Sequence, residues 1–181
     1  MAMMTTKMFL LLFTASEKST GIKTGALNFA QFRTNVLAKI IADKTGTDIF
    51  EVRLKNDNYP TSYTPLTEIA LKEKKAGARP EIMADVENFA DYDTFFLGTP
   101  NWWADLPMAL YTFMEAHDWS AKKVAPFVTH EGSGLSTIPN KIKAVTGAEM
   151  LEGFELYGHI AQNEREKAEE KVVKWLEKLK F

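Results

Sequence analysis

Residues 95–107 read FFLGTPNWWADLP and join an apolar run, a glycine and two adjacent tryptophans. The run before Gly98 does not alternate with polar residues, which is typical of a strand buried on both faces. Trp102 and Trp103 follow it, between Pro100 and Asp105, on what the sequence predicts to be a loop. Adjacent residues of an extended segment point in opposite directions, so at least one indole is expected to face outward and to need a partner.

Similar apolar runs occur at 7–13, 93–98, 123–128 and, more weakly, 150–158, and a more alternating segment occurs at 48–54. Pro126 is unusual inside such a run. Amphipathic helical patterns separate these segments. This alternation predicts an α/β fold: a three-layer, doubly wound sheet of five parallel strands in a single domain, 1–181.

Three local details are also predicted. The first helix is expected to begin at about Thr34 and to end at Gly46, which leaves 14–33 as a long irregular connection. Asp105 is expected to be the N-cap of the helix that follows the tryptophans.

Composition excludes several classes of site. The net charge of −2 gives no electrostatic footprint for nucleic acid, and the chain has no cysteine. His117, His130 and His159 have no metal-ligand spacing, so no metal site is expected. The N-terminal apolar run is too short for a secretory signal, and no run approaches the length of a membrane span. The cytoplasm is therefore the expected location.

Ligands of open α/β sheets bind beyond the carboxyl ends of the strands, so the residues that follow each strand are the candidates. Hydroxyl, amide and guanidinium groups follow the first strand and suit a phosphate, although taken alone they are equally explained as a helix cap and a solvated arginine. The tryptophans follow the third strand and suit a planar ring. THEGSGLST (129–137) follows the fourth, where two glycines let backbone N–H groups approach a ligand, and where His130 and Glu131 are either catalytic or exposed loop residues. Together they indicate a phosphorylated planar cofactor.

Several blocks carry a family likeness, above all DYDTFFLGTPNWWADLPMALYTFME followed by VAPFVTHEGSGLS, with MFLLLFTAS, NYPTSY and GAEMLEGFELYG around them. They resemble, over nearly the whole chain, the flavodoxin-like proteins of the flavodoxin-4 type. The resemblance implies the strand order 2-1-3-4-5 and non-covalent binding of FMN. It implies that the phosphate is held by Thr14, Ser16, Arg33, Thr34 and Asn35. It implies that the ring is flanked by Thr99, Pro100, Asn101, Trp102 and Trp103. It implies that the other edge of the ring is lined by Thr129, His130, Glu131, Gly132, Ser133 and Gly134.

The sequence departs from the family pattern in two places. The usual Gly-Asn before the threonine of the phosphate loop is replaced by Phe32 and Arg33, and Arg33 is expected to compensate by pairing with the phosphate. Single-electron flavodoxins turn a backbone carbonyl toward the flavin, typically at a glycine, whereas Ala104 stands here. Because a non-glycine residue resists positive φ, the one-electron-reduced flavin is expected to be only modestly stabilised.

Three functions are consistent with these features. The leading one is an FMN-binding redox protein that carries electrons between a reductase and an acceptor, which is either a partner protein or a small quinone-like molecule. The second is an NAD(P)H-dependent quinone or flavin reductase on the same fold, with His130 as proton donor. The third is a binding module of the same fold that has lost its cofactor.

Overall fold

A computed structural model describes residues 6–14, 26–60 and 62–180, and only the backbone of 26–32. Strands and helices alternate along the chain as far as the fifth strand, after which one more strand and two helices follow. The strands are β1 Met8–Phe13, β2 Ile49–Val52, β3 Thr94–Pro100, β4 Lys123–His130, β5 Glu149–Met150 and β6 Phe154–Tyr157. The helices are α1 Ala26–Thr45, α2 Tyr63–Ala76, α3 Met108–Glu115, α4 Ile138–Thr146, α5 Gly158–Asn163 and α6 Arg165–Leu179.

All pairs in the sheet are parallel, in the order β2-β1-β3-β4-β5, and β6 also pairs with β4. The predicted order and fold class are thus confirmed. The predicted fifth strand is present as two pieces, because β5 pairs with Lys123 and Val124 and β6 pairs with Phe127 onward. The gap lies opposite Pro126, which has no N–H to donate to a ladder.

The core has two layers, one on each face of the sheet. Phe95 and Leu97 of β3 pack in the layer that also contains Leu110 of α3 and Ile142 of α4. Phe96, between them, packs in the opposite layer with residues of α1 and α6. A strand covered on both faces buries every side chain, which explains the uninterrupted apolar runs.

Gly98 leaves room for an aromatic ring of the neighbouring central strand near the ligand edge of the sheet. It lies opposite Phe127 in the β3–β4 register. A Cβ on Gly98 would stand 2.2 Å from the Phe127 ring. The ring therefore packs over the glycine, just before the strand continues into Thr99 and the tryptophans.

Two helix boundaries differ from the predictions. Helix α1 begins at Ala26 rather than near Thr34, because Ala26, Leu27 and Gln31 are good helix formers; part of the expected irregular connection is therefore helical. Helix α3 begins at Met108 with Pro107 as its N-cap. Asp105 is not the N-cap, because its carboxylate is buried in the turn that precedes the helix.

Candidate functional site

A cavity of about 540 Å³ opens beside the carboxyl ends of β3 and β4. Its volume lies in the range usual for small-molecule and cofactor sites. Its walls come from the end of β3, the turn after β4, helix α1 and helix α2; the lining residues are Arg33, Tyr63, Leu66, Thr67, Ala70, Pro100, Asn101, Trp102, Trp103, Thr129, His130, Glu131, Ser133 and Gly158. Nine of the sequence-predicted site residues are among them: Arg33, Pro100, Asn101, Trp102, Trp103, Thr129, His130, Glu131 and Ser133.

The two tryptophans have different roles, as expected, although a turn and not an extended segment separates their indoles. Trp102 is half-buried and packs edge-on against Phe13 and Tyr59, each with ring centroids 5.6 Å apart. Trp103 is 49% exposed, and its indole N–H donates to the carbonyl oxygen of Thr67 in α2 at 2.9 Å. Trp102 therefore anchors the segment in the core, and Trp103 presents its indole at the cavity.

A tight turn displays Trp103. The backbone N–H of Trp102 donates to the backbone carbonyl of Asp105 at 2.9 Å, and the backbone N–H of Asp105 donates to the carbonyl of Trp102 at 3.0 Å. Trp103 and Ala104, between them, have φ of 56° and 60°. Positive φ at both central positions is characteristic of a type I′ turn, which usually contains asparagine and glycine. The premise that Ala104 would avoid positive φ is therefore wrong.

Surrounding groups hold this strained turn. The amide N–H of Ala104 donates to the Asn101 side-chain oxygen at 3.0 Å, and the Thr137 hydroxyl donates to the Ala104 carbonyl. Lys74 of α2 donates to the Trp103 carbonyl at 2.6 Å. Strain of this kind persists only where several contacts fix it.

Asp105 secures the base of the turn. Its carboxylate is buried and accepts hydrogen bonds from the Tyr111 hydroxyl at 2.6 Å and the Leu106 N–H at 2.8 Å. The Nζ atoms of Lys74 and Lys141 lie 3.6 Å and 3.9 Å from it. Burial of Tyr111, and its bond to Asp105, raise the pKa of that phenol, so the hydroxyl stays a donor to the carboxylate.

The turn after β4 is tied to the rest of the site by Asn101 and Thr129. The Asn101 amide donates to the Gly134 carbonyl at 3.0 Å, and the Asn101 N–H donates to the Thr129 carbonyl at 3.1 Å. The hydroxyls of Thr129 and Thr34 lie 2.6 Å apart in the core. Two walls of the cavity are thus braced against each other and against α1.

His130 lines the cavity, and its largely buried ring is held by the turn after β4. Its Nδ1 accepts a hydrogen bond from the Gly132 N–H at 2.9 Å, which in the neutral ring leaves the hydrogen on Nε2. Nε2 is buried and lies 3.3 Å from Glu155 Oε2 without the geometry of a hydrogen bond to any described residue. The role of His130 as a proton donor stays a prediction.

Glu131 lines the cavity and pairs there with Arg33. One Glu131 oxygen lies 2.7 Å from Arg33 Nη1 and accepts the His159 N–H at 2.9 Å, while its other oxygen lies 2.8 Å from His159 Nδ1. Partial burial acts to raise the pKa of Glu131. The hydrogen bond from His159 and the charge of Arg33 outweigh it, so this pKa lies below its usual value.

The remaining predicted residues have other positions. The Thr14 hydroxyl donates to Glu51 at 3.2 Å. Thr34 and Thr99 are fully buried, and Asn35 lies within α1. Ser16 lies outside the described residues. Gly132 and Gly134 have φ of 134° and 61°, both in the positive range that favours glycine.

Helix α2 forms a wall that the sequence analysis missed. Tyr63, Leu66, Thr67 and Ala70 all line the cavity. They are spaced i, i+3, i+4 and i+7, which is one face of a helix. That spacing was visible in the sequence, but no local signal says that this face meets the strand ends. Tyr63 is 69% exposed and adds a second aromatic side chain to the cavity.

Comparison with known proteins identifies the class. The family model described as Flavodoxin matches residues 26–179. The chain therefore belongs to the flavodoxin family. No curated protein sequence matches it significantly. Within the described ranges, no helix is long and apolar enough to cross a bilayer, and no group of acidic and histidine side chains could hold a metal ion.

Solved structures share the fold. A protein from Bacteroides eggerthii DSM 20697, provisionally named a flavoprotein, superposes with a TM-score of 0.73 at 21% identity and covers 98% of this chain and 99% of its own. A flavoprotein from Lactobacillus acidophilus NCFM, solved in complex with FMN, gives 0.67 at 16% identity, covering 95% and 99%. These likenesses show that the chain shares the fold of the two flavoproteins.

Proposed function

We propose that this chain binds FMN in the cavity beside β3 and β4 and carries electrons between a reductase and an acceptor. The acceptor is either a redox partner protein or a small quinone-like molecule. One observation carries the proposal: a cavity of about 540 Å³ at the ligand edge of a flavodoxin-type sheet, with Trp103 presented on it by a braced, strained turn. Residues 1–181 are proposed to act as one domain in the cytoplasm.

The described residues suit the two ends of FMN. Trp103 and Tyr63 offer aromatic surface to a flat ring. Arg33 offers a guanidinium to the phosphate, with Thr14, Ser16, Thr34 and Asn35 as the other proposed members of that group. FMN, when bound, supplies the redox chemistry, and the chain binds it, orients it and limits its contact with water.

The first experiment is the absorption spectrum of the purified protein. Holo protein is expected to absorb near about 450 nm, the region of oxidised flavin, and to transfer electrons to an acceptor only when a reductase is added. Colourless protein that also fails to quench the fluorescence of added FMN would support the cofactor-free binding module instead.

A second candidate is an NAD(P)H-dependent quinone or flavin reductase. The exposure of Tyr63 at the cavity favours it, because a second planar molecule could stack there. Steady-state oxidation of NAD(P)H with a quinone separates the two functions. The carrier is expected to show almost none without a reductase, whereas the enzyme needs no partner.

A further inference from the structure

A cluster of hydrogen-bond donors on the cavity wall holds the protein's own carboxylate. The Glu131 carboxylate accepts hydrogen bonds from Arg33 Nη1 at 2.7 Å, from the backbone N–H of His159 at 2.9 Å and from His159 Nδ1 at 2.8 Å. A carboxylate is an acceptor only, so His159 Nδ1 carries a hydrogen here. Arg33 and Glu131 both line the cavity. Three donors therefore converge on one anionic group at a surface open to ligands.

The cluster depends on a glycine. A Cβ on Gly158 would lie 2.5 Å from Arg33 Cδ and 2.9 Å from the Glu131 oxygen. Any side chain at 158 would therefore displace the guanidinium or the carboxylate. On its other side, Arg33 Nε donates to the Gln162 side-chain oxygen at 3.1 Å, which fixes the plane of the guanidinium. The donors are thus oriented before any ligand arrives.

Glu131 holds these donors weakly. Its side chain is 48% exposed, that of His159 is 51% exposed and that of Arg33 is 22% exposed. Ion pairs at such exposure contribute a factor of about five at most to an equilibrium constant. A phosphate monoester has more charge than a carboxylate and can take two parallel bonds from a guanidinium. A phosphate is therefore the stronger occupant of the same donors.

We infer that Arg33 and His159 form a binding site for a phosphate monoester, and that Glu131 occupies this site in the ligand-free protein and competes with the ligand. The inference rests on the proposed function, because the phosphate of FMN is the expected ligand. It adds His159 to the site and changes the role of Glu131 from a contact at the ring edge to an internal competitor.

The test is the affinity of the full chain and its variants for FMN and for riboflavin, which lacks the phosphate, by fluorescence quenching at fixed pH and salt. In Glu131→Gln the dissociation constant for FMN is expected to fall about three- to fivefold, with riboflavin unchanged. Arg33→Met is expected to weaken FMN alone. Glu155→Gln is the matched control, because it removes the same charge from a carboxylate that faces His130 instead, and it should change FMN affinity less than about twofold.

Unchanged or weaker FMN binding by Glu131→Gln would overturn the inference, because Glu131 would then be a supporting contact. Inorganic phosphate tests the same site without flavin: it should raise the melting temperature more in Glu131→Gln than in the unchanged chain, and an equal or smaller rise would also overturn the inference. If the unchanged chain binds neither flavin while phosphate gives this difference, the proposed function fails and the phosphate site stands.

Discussion

The replacement Ala104→Gly tests the strained turn that presents Trp103. Ala104 has a φ of 60°, and a left-handed conformation costs a residue with a Cβ about 1–2 kcal/mol. Glycine removes that cost but loses about 0.5–1 kcal/mol in the entropy of the unfolded chain. The variant is therefore expected to be more stable by about 0.5–1 kcal/mol, a rise of about 1–4 °C in melting temperature for a chain of this size.

The assay is urea unfolding of the flavin-free protein, with Ala116→Gly as control. Ala116 is exposed at the end of α3 and has a φ of −80°, so glycine there should only destabilise, by about 0.5–1 kcal/mol. The FMN affinity of Ala104→Gly should change less than about twofold, because the hydrogen bonds that hold the turn are made to its backbone atoms, which glycine keeps. If Ala104→Gly is destabilised as much as Ala116→Gly, the left-handed turn is refuted.

Three further predictions concern packing, charge and the ring wall. Gly98→Ala should destabilise the fold by about 2 kcal/mol or more in urea unfolding, since its Cβ would stand 2.2 Å from the buried Phe127 ring. The control Gly46→Ala, with open space around it, should cost only about 1 kcal/mol. An equal cost for the two variants would contradict the packing of the Phe127 ring over Gly98. Because the pKa of Glu131 is lowered in the fold, its stabilisation is present above the ordinary range of glutamate and is lost as pH falls through that lowered pKa. Glu131→Gln should therefore cost up to about 1 kcal/mol at pH 7 and progressively less as pH falls through that lowered pKa, and a loss that does not change with pH would argue against this origin. Trp103→Ala should weaken FMN and riboflavin equally, by about tenfold, whereas a loss confined to FMN would place the indole away from the ring.

The sequence was sufficient for the sheet because burial on both faces leaves a local mark. The runs around Phe95 and Val124 have no polar side, and only a central strand tolerates that. The edge strand was harder to read, since its interruption depends on Pro126 of the neighbouring strand. The sequence of the edge strand does not show that a residue of the neighbouring strand lacks an N–H.

The site was predictable where it follows a strand end and not where distant elements meet. Trp103 and Asn101 come directly after β3, so their position follows from the sheet. Glu131 also follows a strand, but its partner His159 comes from a helix 28 residues further on, and no pattern in the sequence specifies that contact. Tyr63 was missed for the same reason: its helical spacing shows a face but not what the face meets.

The positive φ at Trp103 and Ala104 shows a different limit. Residue preferences predict that an alanine avoids this conformation. Here bonds from Asn101, Lys74 and Thr137 to the turn outweigh that preference. Such tertiary contacts are invisible in the local sequence, so Ala104 alone is not grounds to discount one-electron chemistry.

The most direct test of the central claim is a titration of the flavin-free chain with FMN, followed by flavin fluorescence and by isothermal calorimetry. We expect saturable quenching at one FMN per chain, with a higher affinity than for riboflavin and a loss of the ring contribution in Trp103→Ala. FMN fluorescence that stays unquenched at all protein concentrations, from a chain shown to be folded, would contradict it.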